Sequence, residues 1–111
     1  MIDLDASLLR VRALFTCRQS IQIAWVDLDD VDLRFFDEPI DFAAITYCEG
    51  QALIGLHPKL RRAPRYVVDY LIGHELLHIA LGTFDHPRSF GVAERLLPHY
   101  ARAVAWLEAH E

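Results

Sequence analysis

The segment YVVDYLIGHELLHIAL, residues 66–81, constrains the fold more than any other part of the chain. Wound as an α-helix it is apolar on nearly every face, and a helix of that kind has to be buried. Pro64, just ahead of it, suits a first helical turn, where its missing N–H would be unpaired anyway. Gly82, just after it, suits the left-handed residue that commonly ends a helix. At 1.5 Å per residue the helix from Pro64 to Leu81 is about 27 Å long, enough to cross a small domain. The chain has only 111 residues, and a domain takes about 100–200. Residues 1–111 are therefore read as a single domain wrapped around this one helix.

The wrapping elements are legible in outline. Leu4, Leu8, Leu9, Val11, Ala13, Leu14 and Phe15 fall close to helical spacing, with Asp5 or Ser7 as the cap. Ile21, Ile23 and Trp25 alternate with Gln22 and Ala24, which predicts a half-buried strand. An acidic stretch from Asp27 to Asp41 follows, with room for a short strand around Leu33 to Phe36. Ala43–Cys48 and Gln51–Leu56 flank Glu49-Gly50 and read as a hairpin, since Gly50 can supply the positive φ of a tight turn. His57-Pro58 ends its second arm, because proline donates nothing to a ladder. A last helical region begins at Ser89 as N-cap, with Pro98 kinking or splitting it. The expected class is α+β: an N-terminal helix, a small antiparallel or mixed sheet, the buried central helix and a broken C-terminal helix.

The buried helix carries His74-Glu75-Leu76-Leu77-His78, an HExxH pattern. Residues i and i+4 stand one turn apart on the same face. Two imidazoles so placed can share one zinc ion at about 2.0–2.1 Å. Glu75 is rotated about 100° from His74, at the edge of such a site, where it can serve as general base toward a water. Two histidines and a glutamate on an apolar buried helix are costly unless something satisfies them. A catalytic zinc takes three protein ligands and keeps one open position. His86, eight residues after His78, and Glu94, eight residues further on, are both candidates for the third. Glu94 could instead be a carboxylate that orients a ligand histidine. His57, His99 and His110 are assigned surface or core duty.

Composition excludes several classes. With 53% hydrophobic and 24% charged residues the chain is not disordered, and its charge-free stretches are too short for a membrane helix. Two cysteines, Cys17 and Cys48, do not make a disulfide framework. The N-terminus lacks the apolar core of a secretory signal. The chain is thus expected to be soluble and cytoplasmic, with no membrane partner. A net charge of −5 argues against nucleic acid as a general partner. Lys59, Arg61, Arg62 and Arg65 form a short basic patch, either a solvated face or a rim that draws in an acidic substrate.

Taken together, GQALIGLHPKL, PRYVVDYLIGHELLHI and HPRSFGVAERLLPHY resemble the SprT-like and YgjP-like small zinc metallopeptidases, a gluzincin-related group also called minigluzincins. The matches are Leu53 to Leu60, His74 to His78, His86 with Phe90 four residues later, and Glu94-Arg95-Leu96-Leu97-Pro98, so the resemblance spans about residues 43–107. It implies a minimal zincin-like domain, Zn2+ held by His74, His78 and His86, Glu75 as general base, and a peptide or protein substrate. Peptidases of this kind add an extended substrate to an exposed sheet edge. The strand with Gln51, Leu53 and Gly55 is the expected edge. Tyr100, His99 and Arg88 are candidate stabilisers of the oxyanion. The segment Thr46-Tyr47-Cys48-Glu49-Gly50 departs from the family's usual Trp-Gly-Ser-Cys type. The run HELLHIALGTFDH also echoes the HGxLHLxGYDH of rRNA-processing endoribonucleases, but with Glu75 at the second position. Two other functions therefore stand beside peptide hydrolysis: a zinc hydrolase of a nucleotide or RNA, and a non-catalytic binding or regulatory domain on the same fold.

Overall fold

A computed structural model describes residues 3–17, 31–35, 42–48, 51–81, 86 and 88–110. The elements run α1 (Leu4–Cys17), β1 (Val31–Phe35), β2 (Ala43–Cys48), β3 (Gln51–Leu56), a 3-10 turn (Pro58–Arg62), α2 (Arg65–Leu81), α3 (Arg88–Glu94) and α4 (Tyr100–Ala109). The strand expected over Ile21–Val26 lies outside the described residues. So do Glu49, Gly50, Gly82 and most of the loop that follows it.

α2 is buried as its composition demands. Val67, Val68, Ile72, Leu76 and Leu77 have no exposed surface, and Tyr70 and Leu71 retain only traces. Burying each large aliphatic side chain contributes about 1.5–3 kcal/mol, so this helix organises the core. Ile54 and Leu56 from β3, Leu60 from the 3-10 turn, Val11 from α1, Phe90 from α3, Leu97, and Ala103 from α4 close around it.

The sheet corrects one expectation. Its order is β1-β3-β2, with β1 parallel and β2 antiparallel to β3. The expected hairpin is present, and its closing pair Cys48↔Gln51 leaves two residues for the turn. But β3 is the central strand. Leu53 faces Asp32 on one side and Thr46 on the other, and Gly55 faces Arg34 and Ala44. The ladder groups of β3 are thus committed, and Gln51, Leu53 and Gly55 do not form an edge that could receive a substrate strand. The sequence shows the hairpin partner because it is local. The parallel partner comes from VDLRF, a short strand separated from β3 by the whole of β2, so no local turn marks the pairing.

The basic patch is partly structural. Lys59 Nζ lies 4.2 Å from the Phe42 ring centre, and the Arg61 guanidinium lies 5.0 Å from that of Phe35. These cations lie over the aromatic rings at the sheet, an arrangement worth about 0.5–1 kcal/mol each at exposed sites. His57 caps the same turn, its Nδ1 accepting from the Lys59 N–H at 3.1 Å.

α1 is capped by Asp3, whose Oδ1 accepts from the Ala6 N–H at 3.1 Å, rather than by Asp5 or Ser7. Ser7 is fully buried, and its Oγ accepts from Arg10. Arg10 also forms a two-pronged bond to Asp69 on α2, both contacts at 3.1 Å. Leu97 packs closely on α2 because residue 73 is glycine. A Cβ there would meet the Leu97 methyls at 3.0 and 3.1 Å and Val11 Cγ1 at 3.5 Å. Gly73→Val should therefore lower stability by about 2–3 kcal/mol through overpacking, despite valine's better helix propensity. Chemical denaturation checks this, and unchanged stability would show that α1 and Leu97 yield freely.

The C-terminal region splits at Pro98, as expected. α3 ends at Glu94, and α4 begins at Tyr100 after His99, which adopts the left-handed conformation (φ 63°, ψ 21°). Ser89 lies inside α3, one residue after its start, rather than capping it. Helix ends commonly differ by one or two residues from any such reading. No helix among the described residues is long and apolar enough to cross a membrane.

Candidate metal centre

The stripe Tyr70, His74, His78 runs along one face of α2 at four-residue spacing. His86, from beyond the end of the helix, lies over the same face. The ring centres of His74 and His78 are 5.0 Å apart, and His86 lies 5.3 Å from the first and 4.9 Å from the second. One nitrogen from each of the three falls within 4.8 Å of the others, so they can hold a single metal ion. His78 is buried, His74 half-buried and His86 exposed, so the cluster opens on the His86 side.

Phe90 is the packing element beneath the cluster. It is fully buried on α3, and its ring lies 5.0, 4.5 and 5.0 Å from those of His74, His78 and His86. One aromatic ring thus holds all three imidazoles. The four-residue spacing from His86 to Phe90 matters because it puts the histidine ahead of α3 and the ring in its first turns.

Glu94 does not join the three-nitrogen group. Its Oε2 lies 3.3 Å from His74 Nδ1, and its Oε1 accepts a 2.6 Å bond from the Tyr70 hydroxyl. His74 Nδ1 is buried and makes no well-directed hydrogen bond. Three clustered imidazoles, one with an otherwise orphaned buried nitrogen facing a carboxylate, fit the chemistry of a nitrogen-ligated metal. Metal-ligating histidines commonly present their second nitrogen to such a partner.

Burial sets the electrostatics. It lowers the pKa of His74 to about 4, with the positive charge that His78 and His86 would carry acting the same way and Glu94 opposing. The neutral, metal-binding form of His74 is thereby favoured. Glu75 is 5% exposed, and burial raises its carboxyl to about 7. That places on α2 a carboxyl with its pKa close to neutrality, the range in which a proton acceptor is most effective.

Tyr100 packs edge-on against Tyr70 at 5.8 Å. His99 faces Tyr66 at 6.0 Å, and Arg88 is exposed at the start of α3. His110 stacks on Trp106 of its own helix at 3.7 Å, and its Nδ1 lies 2.7 Å from the Trp106 carbonyl oxygen. Sequence does not single out Tyr70: its spacing, four residues before His74, is the one signal, and a tyrosine at that position reads equally well as core.

A buried HExxH helix under a small mixed sheet, with a third histidine returning from a following loop, defines a small zincin-type α+β domain. Residues 46–110 match the YgjP-like metallopeptidase domain, so the chain belongs to the YgjP-like metallopeptidase family. The fold also resembles the crystal structure of the metallopeptidase zymogen abylysin from Pyrococcus abyssi. That likeness has a TM-score of 0.67 at 19% identity, covering 92% of this chain and 88% of that one. No curated protein matches the chain in sequence.

Proposed function

We propose that this protein is a zinc-dependent peptidase whose metal is held by His74, His78 and His86 and whose general base is Glu75. The observation that carries the reading is the convergence of three imidazole nitrogens within 4.8 Å beside a buried glutamate. Nitrogen donors in this number are the set used by catalytic zinc sites that keep one position open. A zinc held there supplies a Lewis acid that polarises a peptide carbonyl and acidifies a water.

The chain's own groups do the rest. Glu75 withdraws a proton from the attacking water and passes it to the departing amine. Its pKa of about 7 suits both directions, because it accepts and releases a proton at comparable cost. Phe90 restricts the rotation of the three histidines. Glu94 faces His74 Nδ1 and orients that ring for the metal. Tyr100 stands edge-on beside Tyr70, at 5.8 Å between ring centres.

Metal analysis with a pair of variants tests the ligand set. The purified protein should hold one zinc per chain, and a chelator should remove both metal and peptide hydrolysis. His86→Ala should weaken zinc binding by more than a hundredfold. Glu94→Ala should weaken it by about 10–100-fold, the usual effect of removing an outer partner of a ligand. A larger loss from the glutamate variant would make Glu94 the third ligand.

A further inference from the structure

We propose that Tyr70 is a positioning residue for the metal centre, acting through Glu94 on His74. The inference rests on the reading of His74 as a metal ligand.

Three observations converge on it. The first is the contact chain. The Tyr70 hydroxyl donates to Glu94 Oε1 at 2.6 Å, while Oε2 of the same carboxylate lies 3.3 Å from His74 Nδ1. A carboxylate held through Oε2 alone can swing about its own χ angles. The Tyr70 bond to Oε1 gives it a second point of attachment, which fixes the carboxylate plane and so which way the His74 ring is turned.

The second is rigidity. Tyr70 is 6% exposed, sits one turn before His74 on the longest helix and packs against the rings of both His74 and Tyr100, at 6.1 and 5.8 Å. Its hydroxyl therefore points from a fixed frame.

The third is topology. Glu94 is the last residue of α3, and His86 lies just ahead of that helix. α3 has only seven residues, too few to be stable on its own. It is fixed to α2 by Phe90 under the histidines and by Glu94 on Tyr70. The Tyr70–Glu94 bond therefore serves two ligands: through the carboxylate it turns His74, and it anchors the helix that follows His86.

The same geometry explains why the helix face carries a tyrosine where an apolar residue would pack. A phenylalanine at position 70 would keep the ring contacts and lose only the donor, leaving Glu94 free to rotate toward solvent.

The test is zinc affinity measured by competition with a chelator, together with the visible spectrum of the cobalt-substituted protein. Tyr70→Phe should fold like the parent, bind zinc at least tenfold more weakly and show an altered cobalt spectrum. In a Glu94→Ala background the same change should shift affinity by less than twofold, since Tyr70 then has nothing to act on. Glu94→Asp, too short to reach Tyr70 and His74 together, should reproduce the loss and serves if Tyr70→Phe does not fold. Parent-like affinity in Tyr70→Phe or in Glu94→Asp, or an undiminished effect of Tyr70→Phe without Glu94, overturns the proposal while leaving the zinc peptidase intact. A parent that binds no zinc overturns both together.

Discussion

Glu75→Gln should retain the full metal content and lower peptide hydrolysis by about 10²–10⁴-fold, the usual contribution of a positioned acid–base group. The amide keeps the size of the side chain but can neither take nor return a proton. A variant that hydrolyses peptides at the parental rate would remove Glu75 from the mechanism. The same substitution should also make the metal-free protein more stable. Glu75 is nearly fully buried, and its folded pKa of about 7 stands well above the ordinary value of 4.5. Between those two values the folded chain binds a proton that the unfolded chain has released. Ionisation therefore favours unfolding, and this group's contribution falls as pH rises from about 4.5 to about 7, then levels off. The full shift amounts to about 3 kcal/mol. The glutamine variant avoids that cost, so its advantage should be near zero at pH 4, grow through this window and be constant above pH 7. Urea unfolding of both metal-free proteins at pH 4, 6 and 8 measures it. An advantage that does not grow with pH would mean the carboxylate is compensated in the fold.

Phe90→Ala should have the largest effect on folding itself. Phe90 has no exposed surface and touches all three histidines. Truncating such a ring costs about 3–5 kcal/mol, against a total of about 5–15 kcal/mol for an ordinary domain. The melting temperature should fall by more than about 10 °C. Zinc affinity should fall with it, because the cavity frees the imidazoles that the ring holds in place. Phe90→Leu fills most of the volume and should recover most of the stability, but less of the metal affinity, since a leucine presents no flat face to three rings. Calorimetry with and without zinc separates the two effects. Full recovery of both by leucine would show that Phe90 supplies only volume.

The alkaline cost at Glu75 and the acid cost at His74, whose pKa burial lowers to about 4, have one origin. Both groups stand on a helix that must be buried for the domain to fold. The helix stabilises the protein through Val67, Val68, Ile72, Leu76 and Leu77, and gives back part of that through two groups whose burial penalises their charged forms. Perturbed titration of this kind is what a site, rather than a packing accident, tends to show.

The amino-acid sequence by itself determined the central helix, the hairpin and the break at Pro98. Each rests on a local rule: apolar faces at helical spacing, a glycine turn between two apolar arms, a proline that removes a donor. His74, Glu75 and His78 were equally legible, because four residues of helix fix their relation without reference to the rest of the chain. The remainder depended on contacts between distant segments. Sequence left His86 and Glu94 as alternatives for one position. In the fold His86 stands beside His78 at 4.9 Å between ring centres, while Glu94 lies 3.3 Å from His74 Nδ1. Tyr70 acquired a partner only through a bond spanning 24 residues. β3, an edge by its hairpin, became a central strand once Val31–Phe35 paired with it in parallel. Two parallel strands cannot be joined by a tight turn, so no local signal marks their pairing, and packing decides it.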